Sequence, residues 1–600
     1  MCGIFGYVGK KTSAPKAVLE GLKTLEYRGY DSWGFAWLEN DKIVVKKAVG
    51  KISNVKTINS TPVRNSFVAA LGHTRWATHG GVTDENAHPH TDCNDKYALV
   101  HNGIIENYTE LKKALLKKGH RFKSETDTEV VNHLVEDEIK KTNSNSKDSG
   151  PLLFEAFRHS FKKLTGLNAV ALLSPNNEIV LAKTGSPLCL GLGKEEYLVS
   201  SDAVAILPYT KEVIFLEDNQ GALINSEGIK LYDLNSGQVI NREPTHLEWS
   251  IGSSSLGKYA HYMLKEIYEQ PKVLSHIVRN YKDAILALSG VVKSSYGTYI
   301  IGCGTAAHAA LAGSYLFSKI ASRHVNFSFG SEFIYLTNFL TPRSLVIALS
   351  QSGETIDIID SVMEAKKRGA KIASLVNNLG STLYRNSDYK ILLGAGPEKS
   401  VCATKSYVSK LAILAILASA LADDVVSGMK QVAKASESIE EILRKKYVEN
   451  VKKLAKKISS HDHIYTIGRG LNYPTALEAA LKIKEVSYIH AEGFAGGELK
   501  HGAIALIEKG TPVIVFAPFD ETYDSIISGA TEIKSRGGFI IGVSPKKNQV
   551  FDYWLPVKDA GSASCISQIV VAQLLAYFLA LERKADPDKP RNLAKSVTVK

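Results

Sequence analysis

The chain has 600 residues, 44% of them apolar, with a net charge of +12. That length and composition imply about four folded domains. They carry no sign of a secretory leader, of a bilayer-spanning apolar run, or of a zinc-finger or RNP-type nucleic-acid motif. The most apolar stretch, 566–581, is interrupted by Gln568, Gln573 and Tyr577 and predicts a buried helix. Lysines such as Lys452, Lys453, Lys456 and Lys457 are spread along helical spacing, as on a solvated helix face. Six cysteines stand at 2, 93, 189, 303, 402 and 565, none paired as C-x-x-C. Their spacing argues against a disulfide framework and against a zinc site, and suits a reducing, cytoplasmic setting.

The first predicted element is a helix. Ser13 and Pro15 mark its start, Val18, Leu22 and Leu25 share a face, and Gly29 follows its end. Short apolar runs at 68–71, 97–100, 169–173 and 213–216, broken by Gly, Asn and Asp, predict strands and an α+β pattern to about residue 240. The polar stretch 142–150 predicts a loop, and the Gly- and Ser-rich stretch 241–258 a linker between domains. Beyond it strand and helix alternate, the pattern of parallel sheets with crossover helices. The pattern also repeats. Tyr299-Ile-Ile-Gly-Cys-Gly-Thr305 and Tyr465-Thr-Ile-Gly-Arg-Gly-Leu471 each open into a helix, with Gly468 166 residues after Gly302. Two further strands, around Ile347 and Ile514, are 167 apart, so a duplicated α/β domain is expected.

The N-terminal segments pose a chemical question. Removal of Met1 would give Cys2 a free α-amine with a pKa near ~7.7–8.0, able to act as base for its own thiol. His73-Thr-Arg-Trp-Ala-Thr-His-Gly80 places a guanidinium, an indole and a hydroxyl beside a glycine. His101-Asn-Gly103 ends a strand, Tyr27-Arg-Gly-Tyr-Asp-Ser32 closes the first helix, and Ser124-Glu-Thr-Asp-Thr-Glu129 opens another. An amino-acid substrate needs these residue types. Its carboxylate suits a bidentate Arg, its ammonium an Asp, and a tetrahedral oxyanion an amide side chain with a backbone N–H beside glycine.

These segments resemble the glutaminase domain of the N-terminal-nucleophile amidotransferases, and most nearly the glutamine–fructose-6-phosphate aminotransferase (isomerizing) family, also called the glucosamine-6-phosphate synthases. The resemblance implies that Cys2 is the nucleophile and that Asn102 and Gly103 form the oxyanion hole. It implies that Arg75, Thr78, His79, Gly103 and Asp127 hold glutamine, with Trp76 as a gate on the ammonia path.

In the second half, Ser350-Gln-Ser-Gly-Glu-Thr355 follows the strand 344–349 and opens a helix. Hydroxyls and unpaired backbone N–H groups there make an anion site. These features resemble the sugar isomerase (SIS) domain, in two copies. The resemblance implies a sugar phosphate bound by Thr305, Ser350, Gln351, Ser352, Thr355, Val401 and Lys482. Ala306 and Ala403 stand where the family usually has Ser, which leaves the sugar preference open. Lys482 and Glu485, three apart, share a helix face. The resemblance makes Glu485 the base that moves a proton between C1 and C2, His501 an aid to ring opening supplied by a neighbouring subunit, and Lys595 the Schiff-base lysine. It runs through Gly497-Glu-Leu-Lys-His-Gly502 and the tail Asn592-Leu-Ala-Lys-Ser-Val-Thr-Val599.

The expected fold is an α+β N-terminal-nucleophile glutaminase domain, with stacked β-sheets between helices, followed by two α/β SIS domains with parallel sheets. The expected boundaries are 1–240 for the glutaminase domain, 241–258 for the linker, 259–440 and 441–589 for the SIS domains and 590–600 for a catalytic tail. The expected partners are L-glutamine, D-fructose 6-phosphate and a second copy of the chain, without nucleic acid, membrane, metal or other cofactor. Two alternatives stay open: the same chemistry on a different keto sugar phosphate, and a sugar-phosphate-binding regulator with residual glutaminase activity.

Overall fold

The computed structural model describes residues 2–10, 14–40, 42–58, 67–141, 150–247 and 255–598. The chain forms two compact units, Met1–Ser254 with Ala594–Lys600, and Ser255–Leu593. All counts below are of the described residues.

In the first unit the strands are β1 (Gly3–Gly9), β2 (Ser32–Glu39), β3 (Lys42–Val49), β4 (Val68–Arg75), β5 (His90–Thr91), β6 (Ala98–Gly103), β7 (Asn168–Leu173), β8 (Ile179–Thr184), β9 (Cys189–Gly193), β10 (Glu196–Ser200), β11 (Glu212–Phe215), β12 (Gln220–Asn225), β13 (Gly228–Asp233), β14 (Val239–Ile240) and β15 (Thr245–His246). The helices are α1 (Ala14–Leu25), α2 (Tyr108–Lys117), α3 (Glu129–Lys141) and α4 (Gly150–Phe161). One sheet runs β15-β11-β9-β10-β1-β4-β2-β3 and the other β14-β13-β12-β8-β7-β6-β5. Ile4, Val8 and Leu71 of the first sheet meet Val100, Ala171 and Leu181 of the second in one dry core. Val18 and Leu22 of α1 sit over Gly72 on the outer face of the first sheet. Val131, Val135, Phe154 and Phe157 of α3 and α4 pack on the second. The result is two sheets stacked between helix layers. Strand β7, buried at every position, is apolar after its first residue, whereas edge strand β3 (KIVVKKAV) carries lysines outward.

The expected linker is partly sheet: Thr245 and His246 pair with β11 as an edge strand. Residues 248–254 lie outside the described residues, as do 142–149 of the expected polar loop.

The second unit contains α5 (Tyr262–Asn280), α6 (Lys282–Ser294), β16 (Thr298–Gly302), α7 (Thr305–Ala321), β17 (Asn326–Phe329), α8 (Gly330–Phe333), β18 (Leu345–Ser350), α9 (Ile356–Lys367), β19 (Lys371–Val376), α10 (Thr382–Arg385), β20 (Tyr389–Leu392), α11 (Lys405–Leu421), α12 (Val425–Ile442), α13 (Lys445–Ile458), β21 (His463–Gly468), α14 (Asn472–Ser487), β22 (His490–Ala495), β23 (Pro512–Phe516), α15 (Tyr523–Ser535), β24 (Phe539–Ser544), β25 (Tyr553–Pro556) and α16 (Ser564–Glu582). Two five-stranded parallel sheets run β17-β16-β18-β19-β20 and β22-β21-β23-β24-β25. The orders are the same, first strand against second, then third, fourth and fifth.

The duplication reaches the backbone. Gly302 and Gly468 end equivalent strands, and a Cβ on either would lie 2.5 Å or less from the helix backbone four residues on. Gly304 and Gly470 then turn the chain at φ +53° and +52°, a region that glycine enters without steric cost. Helix α16 with its preceding turn, Gly561–Glu582, is long and apolar enough to cross a membrane by length and composition, more so than the sequence reading allowed. It is 94% buried within the protein. Ile566, Leu574 and Leu575 pack there in the same core as Ala476, Ala479 and Ile483 of α14.

Candidate active sites

Strand β1 begins directly after Cys2 and lies between β4 and β10, which fixes the nucleophile candidate at a sheet end. The Cys2 thiol faces the loop leaving β4: the Trp76 N–H donates to Sγ at 3.3 Å, and the thiol donates to the Trp76 carbonyl at 3.5 Å. The Cys2 carbonyl accepts from Arg28 Nε at 3.1 Å and Asn102 Nδ2 at 3.2 Å. Burial pushes the thiol above its ordinary value, against the pull of the Trp76 N–H and the Arg75 and Arg28 charges. Cys2, Trp76, Thr78, Asn102 and Gly103 line one open cleft of about 370 Å³, together with Arg28 and Thr598 of the tail.

Arg75, His79 and Asp127 do not line that cleft. The Arg75 guanidinium donates to the carbonyls of His79, Gly80 and Gly81, the last at 3.0 Å. Asp127 is buried and accepts from the Ile105 N–H at 2.7 Å. Arg75, the last residue of β4, is thus held by the backbone of the loop after it, and Asp127, just before α3, by the backbone that follows β6.

Sequence reasoning missed the support beneath Cys2. Arg28 pairs with Asp202 at 3.5 Å, and the Tyr27 hydroxyl donates to the same carboxylate at 2.6 Å. Both Arg28 and Asp202 side chains are buried. The Tyr-Arg pair was visible in the motif; its carboxylate partner, 174 residues away, was not.

In the second unit, β16 and β18 are neighbours whose connections leave in opposite directions, and open parallel sheets bind ligands outside such strand ends. Ser350 ends β18, and its Oγ lies 3.2 Å from Thr355 Oγ1 and accepts the Gly353 N–H at 3.0 Å. Gly353 has φ +69°, the tight turn that lets residues 350–355 wrap the start of α9. Ser352 Oγ accepts the Glu354 N–H, and the Gln351 carbonyl accepts the Asn377 N–H. The equivalent turn after β23, Ala-Pro-Phe-Asp-Glu-Thr at 517–522, has no such serines. Of the two copies, the first has the hydroxyl-rich turn.

Thr305 at the start of α7 faces α14. Lys482 Nζ donates to Thr305 Oγ1 at 2.9 Å and to Glu485 Oε2 at 2.6 Å, so the spacing-based pairing of Lys482 with Glu485 is present. Thr305 Oγ1 donates to Glu478 Oε1 at 3.0 Å, and His308 Nδ1 lies 2.7 Å from Glu478 Oε2. The Cys402 thiol donates to Glu485 at 3.2 Å. Lys482 and Glu478 are fully buried. Burial alone would lower the ammonium and raise the carboxylate. The Cys402, Glu478 and Glu485 charges around Lys482, and Lys482 with His308 around Glu478, reverse both, so Lys482 stands well above its ordinary value and Glu478 below. Glu478 and His308 were missed, although Glu478 stands four residues before Lys482, on the same face.

Val401 donates its N–H to the Asp588 carbonyl. His501 is exposed on the short 3-10 turn Glu498–His501. Lys595 is half-buried in the tail segment that belongs to the first unit.

Comparison with known proteins agrees with both halves. The family model described as glutamine amidotransferase domain matches residues 73–208, and that of the SIS domain matches 294–420 and 457–551. The chain is 42% identical over 610 residues to the glutamine–fructose-6-phosphate aminotransferase (isomerizing) of Pyrococcus horikoshii, and 40% identical over 608 residues to that of Aquifex aeolicus, covering all of each protein. Among solved structures, the C-terminal domain of the glucosamine-fructose-6-phosphate aminotransferase from Francisella tularensis matches with a TM-score of 0.51 and 31% identity, over 56% of this chain and 100% of that one. With full-length identity at this level, the chain belongs to the glutamine–fructose-6-phosphate aminotransferase (isomerizing) family.

Proposed function

We propose that the protein converts L-glutamine and D-fructose 6-phosphate into L-glutamate and D-glucosamine 6-phosphate. The observation that carries this reading is the pairing, in one chain, of an N-terminal thiol set beside an amide donor with a buried Lys482–Glu485 pair beside Thr305.

With Met1 removed, the Cys2 α-amine takes the thiol proton and Sγ attacks the glutamine carboxamide. Asn102 Nδ2 and the Gly103 N–H stabilise the oxyanion, ammonia leaves, and water hydrolyses the thioester to glutamate. Arg75 and Asp127 hold the substrate's carboxylate and ammonium, with Thr78 and His79 completing the pocket and Trp76 guarding the exit. In the second unit Ser350, Gln351, Ser352 and Thr355 hold the phosphate, and Thr305, Val401 and Lys482 border the sugar. Lys595 condenses with the C2 ketone and releases water; ammonia then displaces the lysine to leave a C2 imine. Glu485 carries a proton from C1 to C2, which turns the imine and C1 hydroxyl into an amine and an aldehyde. This internal exchange is redox-neutral and calls for no external electron carrier. His501 of a second subunit assists ring opening in a cytoplasmic homodimer.

Mass analysis of the products formed from glutamine and fructose 6-phosphate tests the reading. Glucosamine 6-phosphate is expected from the wild type and not from Cys2→Ala. Lys595→Arg should keep glutamine hydrolysis and lose the amino sugar; normal amino-sugar yield from it would remove the Schiff-base role. Ala306 and Ala403, which lack the hydroxyls usual in the family, favour a second reading with another keto sugar phosphate. A panel of such sugars with glutamine separates the two.

A further inference from the structure

Away from Cys2, four side chains of the first unit converge: Cys93 on the loop after β5, His120 after α2, and His133 and Glu136 one turn apart on α3. Their ligand atoms lie within 4.8 Å of one another. Cys93 Sγ is 3.5 Å from His120 Nδ1 and 3.6 Å from His133 Nδ1. Glu136 Oε2 is 3.3 Å from His120 Nδ1 and 3.5 Å from His133 Nδ1. Tetrahedral zinc, with bonds of about 2.3 Å to sulfur and about 2.0–2.1 Å to nitrogen and oxygen, requires ligand separations of roughly 3.3–3.6 Å. Four of the six edges fall in that range, and the other two, His120–His133 and Cys93–Glu136, are within 4.8 Å.

Hydrogen bonds link the four side chains but leave one buried polar atom of the cluster, His133 Nε2, without a partner. His120 Nε2 lies 2.8 Å from Asp137 Oδ1, and a neutral ring that donates there turns its Nδ1 lone pair between the Cys93 thiol at 3.5 Å and the Glu136 carboxylate at 3.3 Å. His133 Nε2 is buried without a hydrogen-bond partner, 3.6 Å from Glu129 Oε1, while Nδ1 faces Glu136 Oε2 at 3.5 Å. Two imidazoles, a thiol and a carboxylate oxygen gathered this closely, the oxygen also accepting the Cys93 N–H at 3.3 Å, are an arrangement a cation satisfies. The outer contacts are those of a metal site as well: carboxylates behind both imidazoles, and Lys140 and Asn94 on the other Glu136 oxygen at 2.8 and 3.4 Å. A thiolate and a carboxylate also neutralise a divalent ion, which suits side chains as buried as His120, His133 and Glu136.

We infer that Cys93, His120, His133 and Glu136 bind one zinc ion in a closed, structural site. One sulfur and two imidazoles favour zinc over magnesium or calcium, and four protein ligands leave no position for a substrate. The site does not depend on the function proposed above. It would tie the loop after β5 and the segment after α2 to α3, whose first residue, Glu129, accepts from the Ser124 and Lys123 N–H groups and so anchors the Asp127 segment. The cysteine spacing concealed it because the ligands come from three separate segments.

Elemental analysis of the untagged full-length protein, grown with zinc, should find about one zinc per chain. Chelation should lower the melting temperature, and zinc alone should restore it. Cobalt in its place should give a thiolate-to-metal charge-transfer band and intense tetrahedral visible bands. Cys93→Ala and His133→Ala should lose the ion, while Cys2→Ala keeps it. If a cluster variant fails to fold, the cobalt spectrum of the wild type still decides. A zinc content near zero, zinc retained in soluble Cys93→Ala, or a cobalt adduct without the thiolate band would each overturn the assignment.

Discussion

His73 holds Asn102 in the orientation that the proposed reaction at Cys2 needs. Its Nε2 lies 3.1 Å from Asn102 Oδ1 and 2.9 Å from the His101 carbonyl, both acceptors, so the ring is the Nε2–H tautomer. With Oδ1 engaged, the Asn102 amide cannot flip, and Nδ2 stays turned to the Cys2 side, where it already donates to the Cys2 carbonyl. Burial forces His73 down to about 3, so the ring stays neutral at working pH. His73 is a positioning residue, and His73→Leu should lower kcat for glutamine hydrolysis by roughly ten- to a hundredfold, less than loss of an oxyanion donor outright. KM should move little, and His73→Gln, which keeps a donor, should recover part of the rate. Steady-state glutaminase kinetics check this; an unchanged kcat in His73→Leu removes the role. The sequence placed His73 in a motif, but its partner depends on β4 and β6 facing each other from different sheets.

At the scale of elements, the second site is a contact between two helices. Helix α14 presents Glu478, Lys482 and Glu485 on one face, and α7 answers with Thr305 and His308. Spacing within α14 was legible, since residues three and four apart share a face. The pairing with α7 was not, because those residues lie about 170 positions earlier in the chain. Glu478 receives Thr305, faces His308 and pairs with Lys482 at 3.4 Å. Glu478→Ala leaves Lys482 its closer carboxylate, Glu485 at 2.6 Å, but takes away the acceptor of Thr305 and the partner of His308, a loss on the order of 1–3 kcal/mol and below that of a buried charge left with no partner. Denaturant unfolding of the variant should show a loss of that size in the second unit. A midpoint equal to the wild type would show that Glu478 does not hold the two helices together.

The whole molecule joins two units with different responses to acid. The duplication in the second was readable because glycines at 302, 304, 468 and 470 are dictated by close backbone approach and positive φ, which leave a mark in sequence. The histidines of the first unit leave no such mark. His73 stacks on His88 and His88 meets His90 edge-on, with ring centroids 4.3 and 4.7 Å apart, and burial drives all three well below their ordinary value of 6.5. The folded state keeps these rings neutral, whereas the unfolded chain takes up a proton at each as pH falls below 6.5. Stability therefore falls with pH by about 1.4 kcal/mol per unit for each histidine, from pH 6.5 down to about 3 for His73. Glu478 loses its contribution in the same direction but at lower pH. Its carboxyl is held below 4.5, so its contribution is intact above that pH and is lost only as pH falls through the folded value. Between pH 6.5 and 4.5 the three histidines weaken the first unit while Glu478 still stabilises the second. Hydrogen exchange followed by mass spectrometry at pH 7 and 5, with and without chelator, should show β4, β5 and β6 losing protection before α7 and α14. Simultaneous loss in both units, or loss first in α7 and α14, would contradict the histidine account.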